Sequence, residues 1–291
     1  MERNLVVILI TMLMLGSCVS PSDRKVSEQR QIKMLYTDWS ESIAMTYLAT
    51  ILLERDMGFK VTTRMADVDE IFNDIATGEA DLFLDVWLPA THSEYIELYG
   101  DRIEVLGLNY QPARTGLVVP DYMGVDNMEQ LREYYQGPIV GIDSTAGIMR
   151  VTREALDAYN LPNELLVLSE EEMTVRLRTA VQRQKDIVIT GWEPHWIFFR
   201  YDLRFLHDPQ MIYMAEEQIY SIARTGFAEE FVHVATFLNR MVLTERQMNS
   251  LLFEMHLSPD PLEGVRKWIQ SNEFVVNQWT RGLGPEREKI M

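Results

Sequence analysis

Apolar and polar positions alternate along this chain in two periods. Short runs rich in apolar and β-branched residues end at Gly, Pro or Asp, and longer stretches with apolar positions three or four apart follow them. Strands are predicted over residues 32–37, 59–64, 81–86, 114–119, 139–143, 165–168, 186–190 and 219–224. Helices fall between them: one through Arg55, one over 67–77 stopped by Gly78, a short one after Pro89, one over 146–159, and one to about Gln184. This last helix starts at a capping-box pattern, Ser169 with Glu172. Pro194 is placed for the first turn of a further helix. From 228 onward the chain reads as wholly helical, with Thr244 and Gln247 as a second capping box. Such alternation predicts an α/β architecture with mainly parallel sheets.

The chain's start follows a different pattern. Residues 5–15 are almost wholly apolar, too short a run for the roughly 20 residues of a membrane helix, and they follow a polar start with Glu2 and Arg3. This is the layout of a secretory signal. The run ends in Leu15-Gly16-Ser17-Cys18, which resembles the lipobox of bacterial lipoproteins. That resemblance implies a signal over 1–18, cleavage before Cys18, and lipid on its thiol. Residues 19–30 are polar and read as a flexible tether. Cys18 is the sole cysteine, so once lipidated it leaves no thiol for a disulfide, a zinc site or a nucleophile. The expectation is a water-soluble domain anchored to a bacterial membrane.

Charge narrows the function. With 27 basic against 44 acidic residues, the net charge is −17. Nucleic acid and anionic lipid both demand clustered Lys and Arg, so neither fits as a partner. His207, His233 and His256 are scattered without metal-ligand spacing, and neither a metal nor a cofactor is expected. No Gly-x-Ser-x-Gly elbow is present, and Ser144 has no His or Asp partner at motif spacing, which argues against a hydrolase of choline esters or similar substrates.

Three of the six tryptophans share one setting. Trp39, Trp87 and Trp192 each follow a predicted strand and precede a helix, the place where open α/β sheets hold ligands. A fourth strand end, Gly141-Ile142-Asp143-Ser144-Thr145-Ala146-Gly147-Ile148-Met149, runs through small residues into a helix. Its first amides and dipole favour an anion, and Gly147 allows close approach. Indole faces attract a cation that donates no hydrogen bonds. Together these features describe a small zwitterion with a quaternary ammonium at one end.

Trp87-Leu88-Pro89-Ala90-Thr91-His92, Gly141-Ile142-Asp143 with Ala146-Gly147-Ile148-Met149, and Gly191-Trp192-Glu193-Pro194-His195-Trp196 closely resemble the glycine-betaine-binding proteins of osmoprotectant ABC importers. The likeness runs from about residue 31 to 282. It implies a two-lobed type II periplasmic-binding-protein fold with a helical C-terminal region. Lobe one would comprise 31–113 and 220–285, lobe two 120–213, with crossings near 115–120 and 219–226. It further implies that Trp39, Trp87 and Trp192 box a trimethylammonium group, and that His92 and the amides of Gly147 and Ile148 take a carboxylate. Ser144-Thr145 stands where many relatives carry Pro-Gly, and a hydroxyl there would add a ligand contact. Tyr110 and Glu41 are further candidates for the cage wall. His195 lies in the motif, where packing is expected over direct contact. The implied role is a monomeric receptor for an ABC permease; choline, carnitine and dimethylsulfoniopropionate remain alternative ligands, and a sensor subunit an alternative role.

Overall fold

The structure is a computed structural model and describes residues 31–213 and 216–284. The expected signal, Cys18 and the tether lie outside the described residues. No helix among the described residues is long and apolar enough to cross a membrane.

The first half-sheet is built from β1 (Gln31–Tyr36), β2 (Lys60–Met65) and β3 (Leu82–Leu88), all parallel. β3 reads Leu-Phe-Leu-Asp-Val-Trp-Leu and is buried along nearly its whole length, as a central strand covered on both faces must be. Helix α1 (Ser40–Arg55) follows β1, and α2 (Val68–Thr77) follows β2. Gly78 closes α2 in the left-handed region at φ 78°, the expected stop. The short helix expected after Pro89 begins later, as α3 (Ser93–Tyr99).

The strand expected over 114–119 is the end of a much longer one, β4 (Ile103–Pro120). Gly107, Asn109 and Pro112 interrupt its apolar alternation, which is why its first part does not read as strand. β4 joins two sheets. From Ile103 to Ala113 it pairs antiparallel with β9 (Glu217–Arg224), which in turn pairs with β3. From Arg114 to Val118 it pairs with β7 (Val188–Glu193), and its last residues pair with β8 (Leu203–Phe205). The second sheet continues in parallel from β7 to β5 (Ile139–Val140) and β6 (Leu165–Leu166). The strand order is β2-β1-β3-β9-β4-β7-β5-β6. Parallel trios thus flank an antiparallel centre, and the expectation of mainly parallel sheets holds only for the flanks. The chain leaves the first sheet at Ala113–Arg114. It is back there by Glu217, since β9 pairs only with β3 and β4.

The second sheet carries α4 (Met128–Tyr134), which the sequence reading did not predict, α5 (Gly147–Ala158), α6 (Glu170–Gln182) and α7 (Ile197–Arg200). The Ser169–Glu172 capping box opens α6. Pro194 does not start a helix, because β7 runs on through Glu193 and α7 begins only at Ile197. The C-terminal part is helical as expected: α8 (Phe227–Glu230), α9 (Val232–Arg240), α10 (Glu245–Leu257), α11 (Pro261–Ser271) and α12 (Glu273–Thr280). The Thr244–Gln247 box caps α10. α10 and α11 pack on α1 of the first sheet, and Trp268, Phe72, Phe83, Phe227 and Phe237 are fully buried in this half.

Candidate ligand-binding site

The three tryptophans sit slightly differently from the expectation. Trp87 and Trp192 are among the last residues of β3 and β7 rather than beyond them, and Trp39 is the N-cap of α1. All three are buried. Trp39 and Trp87 from the first half meet Trp192, Gly147 and Ile148 from the second around one cavity, which Glu41, Thr91, Thr115, Ile142 and Ala146 complete. The space left among these side chains is small, about 20 Å³.

Each indole N–H of the three is held by a carboxylate. Trp39 Nε1 donates to Asp143 Oδ2 at 3.0 Å, Trp87 Nε1 to Asp85 Oδ1 at 2.9 Å, and Trp192 Nε1 to Glu41 Oε2 at 2.9 Å. These bonds spend the one polar group of each ring on its rim, leaving the π faces for a cation. They also place negative charge around the cage. Glu41 and Asp85 are buried, and burial pushes both carboxyls up; the charges of Asp85 and Glu170 add to this at Glu41, and that of Glu170 at Asp85, which rises to about 7. Burial and the charges of Glu170, Glu171 and Asp143 raise Asp38 beside them.

The opposite wall is backbone. α5 begins at Gly147, and the amides of Gly147 and Ile148, its first two residues, have no intrahelical acceptor, whereas that of Met149 already donates to the Ala146 carbonyl. Asp143 fixes the turn leading into it, its Oδ1 accepting the N–H of Thr145 at 3.2 Å and of Ala146 at 3.0 Å. A Cβ on Gly147 would lie 2.3 Å from the carbonyl oxygen of Thr91 across the cavity, so only glycine lets the two halves meet here.

His92 is fully buried but does not border the cavity. Its Nδ1 accepts the Trp87 N–H at 3.0 Å, which puts the ring proton on Nε2, where it has no partner. Burial, and then the charge of Arg150, lower it to about 3, so the ring is neutral. It lies parallel to Trp39 at 6.2 Å. Ser144 is exposed, and the Thr145 hydroxyl turns to Asp143 at 2.7 Å. Tyr110 is buried in β4 opposite Ile219. His195 stands edge-on behind Trp192 at 4.6 Å. None of these four borders the cavity.

The two halves touch at several points around the cage. Glu170 Oε2 accepts the Ser40 N–H at 2.9 Å, and the Ser40 hydroxyl donates to Oε1. Arg150 donates to the Ala90 carbonyl at 3.2 Å and lies 3.4 Å from Glu94. Trp196 stacks on His256 at 3.7 Å. Burial presses the Glu170 carboxyl upward, but His195 and Ser40 outweigh it and hold it below the usual range. The motifs did not bring out Asp85 and Glu170. The signal for Asp85 was a charged residue inside an otherwise apolar strand, two positions from Trp87; a buried charge needs a purpose. A larger groove, about 770 Å³, adjoins the cage and is lined by Asp38, Arg178, Trp196, Arg200 and His256 among others. Its walls mix both signs of charge, without converging aromatic faces, and the smaller cavity is the better ligand site.

Comparison with known proteins points the same way. Residues 30–271 match the family model of the substrate-binding domain of ABC-type glycine betaine transport systems. A glycine betaine/carnitine transport binding protein of Listeria monocytogenes is 36% identical over 161 residues, 54% of this chain and 54% of that one. The match thus spans about half the length of this curated relative. The crystal structure of lactococcal OpuAC, closed and complexed with glycine betaine, superposes with a TM-score of 0.82 at 32% identity, covering 87% of this chain and 100% of that one. A glycine/betaine/L-proline-binding protein from Borrelia burgdorferi gives 0.81 at 25% identity, covering 86% and 96%. A choline-binding protein in complex with choline shares the fold, with a TM-score of 0.82 at 20% identity over 89% and 94% of the two chains.

Proposed function

This chain belongs to the family of substrate-binding domains of ABC-type glycine betaine transport systems, and on that premise we propose that it is the receptor of an importer that closes two lobes on glycine betaine or a related quaternary-ammonium zwitterion. The family binds and delivers; it does not catalyse. One lobe is residues 31–113 with the C-terminal region from 217, the other 114–213. The reading rests on one observation above all: three indole rings and a helix start, contributed by both lobes, border one cavity.

In this reading the trimethylammonium group lies among Trp39, Trp87 and Trp192. Each such contact is worth roughly 0.5–2 kcal/mol, so three supply about 1.5–6 kcal/mol. The carboxylate takes the amides of Gly147 and Ile148, and each charge-assisted bond adds about 1.5–3 kcal/mol. Association costs subtract from this sum, leaving micromolar affinity, about −8 kcal/mol. The amides favour zwitterions over choline. A ligand that touches both lobes gains contacts only in the closed form and so shifts the molecule toward it. The closed receptor then docks, as a single copy, on a permease in the membrane to which lipidated Cys18 tethers it.

Calorimetry with glycine betaine, proline betaine, carnitine, dimethylsulfoniopropionate and choline tests the ligand. Saturable micromolar binding of at least one betaine is expected, with choline weaker. No saturable heat with any of the five refutes the reading. Mass spectrometry of the membrane-associated protein tests the anchor: diacylglyceryl-modified Cys18 at the new N-terminus is expected, and an unmodified Cys18 refutes it.

A further inference from the structure

Behind the cage, three carboxylates are buried, and among the described residues none of them has a Lys or Arg in ion-pair reach. Glu41 at the start of α1, Asp85 in β3 and Glu170 at the start of α6 are 1%, 0% and 9% exposed. Among the described residues, the basic side chain in ion-pair reach of any of them is His195, 3.1 Å from Glu170 Oε1. His195 Nδ1 accepts the Ile197 N–H at 3.1 Å, which leaves Nε2 as the ring nitrogen that faces Glu170. The Asp85 carboxylate has the Trp87 indole N–H and the Ser42 hydroxyl beside it, and neither brings a positive charge. The other titratable groups around the three are Asp38, Asp143 and Glu171, all acidic, His256 beyond His195, which burial, His195 and Arg200 hold toward its neutral form, and Arg178 and Arg200 on the adjoining groove beside Glu170. Around Glu41 and Asp85 the charge is therefore negative, and buried charge persists only when it is paired or neutralised.

Its members come from different lobes. Glu41 and Asp85 belong to the first lobe and hold the rings of Trp192 and Trp87. Glu170 belongs to the second, and it reaches Ser40, beside Glu41, only when the lobes meet. Closure thus adds a third negative charge to two already present and removes water from all of them. Glu41 also borders the cavity, where an incoming positive charge would sit.

We propose that Glu41, Asp85 and Glu170 make lobe closure conditional on positive charge, so that the site selects cations by charge as well as by shape. A quaternary ammonium in the cage supplies that charge; without ligand, protons must supply it. The inference rests on the two-lobe closure proposed above and, in one arm of its test, on glycine betaine as ligand. The sign with pH follows from the geometry. Burial and crowding in the closed empty form raise the carboxyls of Glu41 and Asp85; Glu170, held below the usual range by His195 and Ser40, stays charged and supplies the crowding, while opening exposes Glu41 to water and takes Glu170 away. The closed empty form therefore binds more protons, and falling pH favours it. At neutral pH the empty receptor stays open, which keeps an unloaded molecule from engaging a permease.

Small-angle scattering of the full chain without ligand tests this directly. Between about pH 8 and about pH 5.5, the closed fraction is expected to rise by about threefold or more. Glu41→Gln keeps an acceptor for the Trp192 N–H but removes a charge. It should raise the closed fraction at the higher pH and flatten its pH dependence. In a second arm at the higher pH, glycine betaine should close the wild-type chain. Its carbon isostere 3,3-dimethylbutanoate, of the same shape without the positive nitrogen, should not. A closed fraction unchanged by pH in the wild-type chain overturns the proposal, without recourse to any variant, and so does closure by the isostere as effective as by betaine. Failure of glycine betaine to close the chain, with the pH arm as expected, sinks the ligand assignment and leaves the charge gate standing.

Discussion

The two ends of the cavity are built on opposite plans. The aromatic end is made of side chains: three indole rings, each held at its N–H by a carboxylate. The amide end is made of backbone, the first turn of α5, kept open by a residue with no side chain at all. Burial pushes the carboxyls beside the rings up, and behind Trp39 it pushes the His92 imidazole down. The contrast suits the zwitterion proposed above: in that reading soft π faces backed by negative charge receive the cation, which has no hydrogen to donate, and directional amides receive the anion, which accepts several bonds.

Substitutions at each end break the comparison in different ways. Gly147→Ala should have the largest effect. Its methyl would meet the backbone of Thr91, which cannot move aside as a flexible side chain can, so calorimetry should show affinity for glycine betaine reduced by about a hundredfold or more. The melting temperature should hardly change, because alanine suits a helix start. Trp87→Ala comes next, with a loss of about tenfold or more, a single cation–π contact of roughly 1.4 kcal/mol; unchanged affinity would remove that ring from the cage. Asp143→Asn keeps one acceptor oxygen but cannot serve both the Trp39 N–H and the turn. A loss of about threefold to tenfold is expected. Ser144→Ala, at an exposed hydroxyl off the cavity, should stay within about twofold.

A pH series on stability sharpens the contrast. Asp85 is raised to about 7 when folded, so its contribution is fully present below the unfolded value of about 3.9 and is lost as pH rises through 7. His92, lowered to about 3, acts in the opposite direction: the unfolded chain binds the extra proton between about 3 and 6.5, and stability falls as pH drops through that window. Asp85→Asn retains an acceptor for the Trp87 N–H. Its melting temperature relative to wild type should therefore climb from pH 5 to pH 8, and a constant difference would contradict the burial argument.

Much of this was legible in the residues. Gly78, Ser169 with Glu172, and Thr244 with Gln247 marked helix ends because capping is local chemistry. Trp39, Trp87 and Trp192 stood out because large aromatics at strand ends need a reason, and the structure gathers them. What escaped is non-local. The first part of β4 is strand only because β9 pairs with it, which no window around Gly107 or Pro112 reveals. Ser144, Thr145 and Tyr110 lay near the site in sequence, but the fold points them at solvent, at Asp143 and into β4. Glu170 lies 130 positions from Ser40, and only closure of the lobes makes them partners.

A crystal structure of the chain with glycine betaine decides most directly whether rings from both lobes share one cation. The methylated nitrogen should lie within about 6 Å of the Trp39, Trp87 and Trp192 ring centres, with the carboxylate on the amides of Gly147 and Ile148. A nitrogen lodged in the larger groove beside Trp196 and His256, or beyond reach of any one of the three rings, would contradict it.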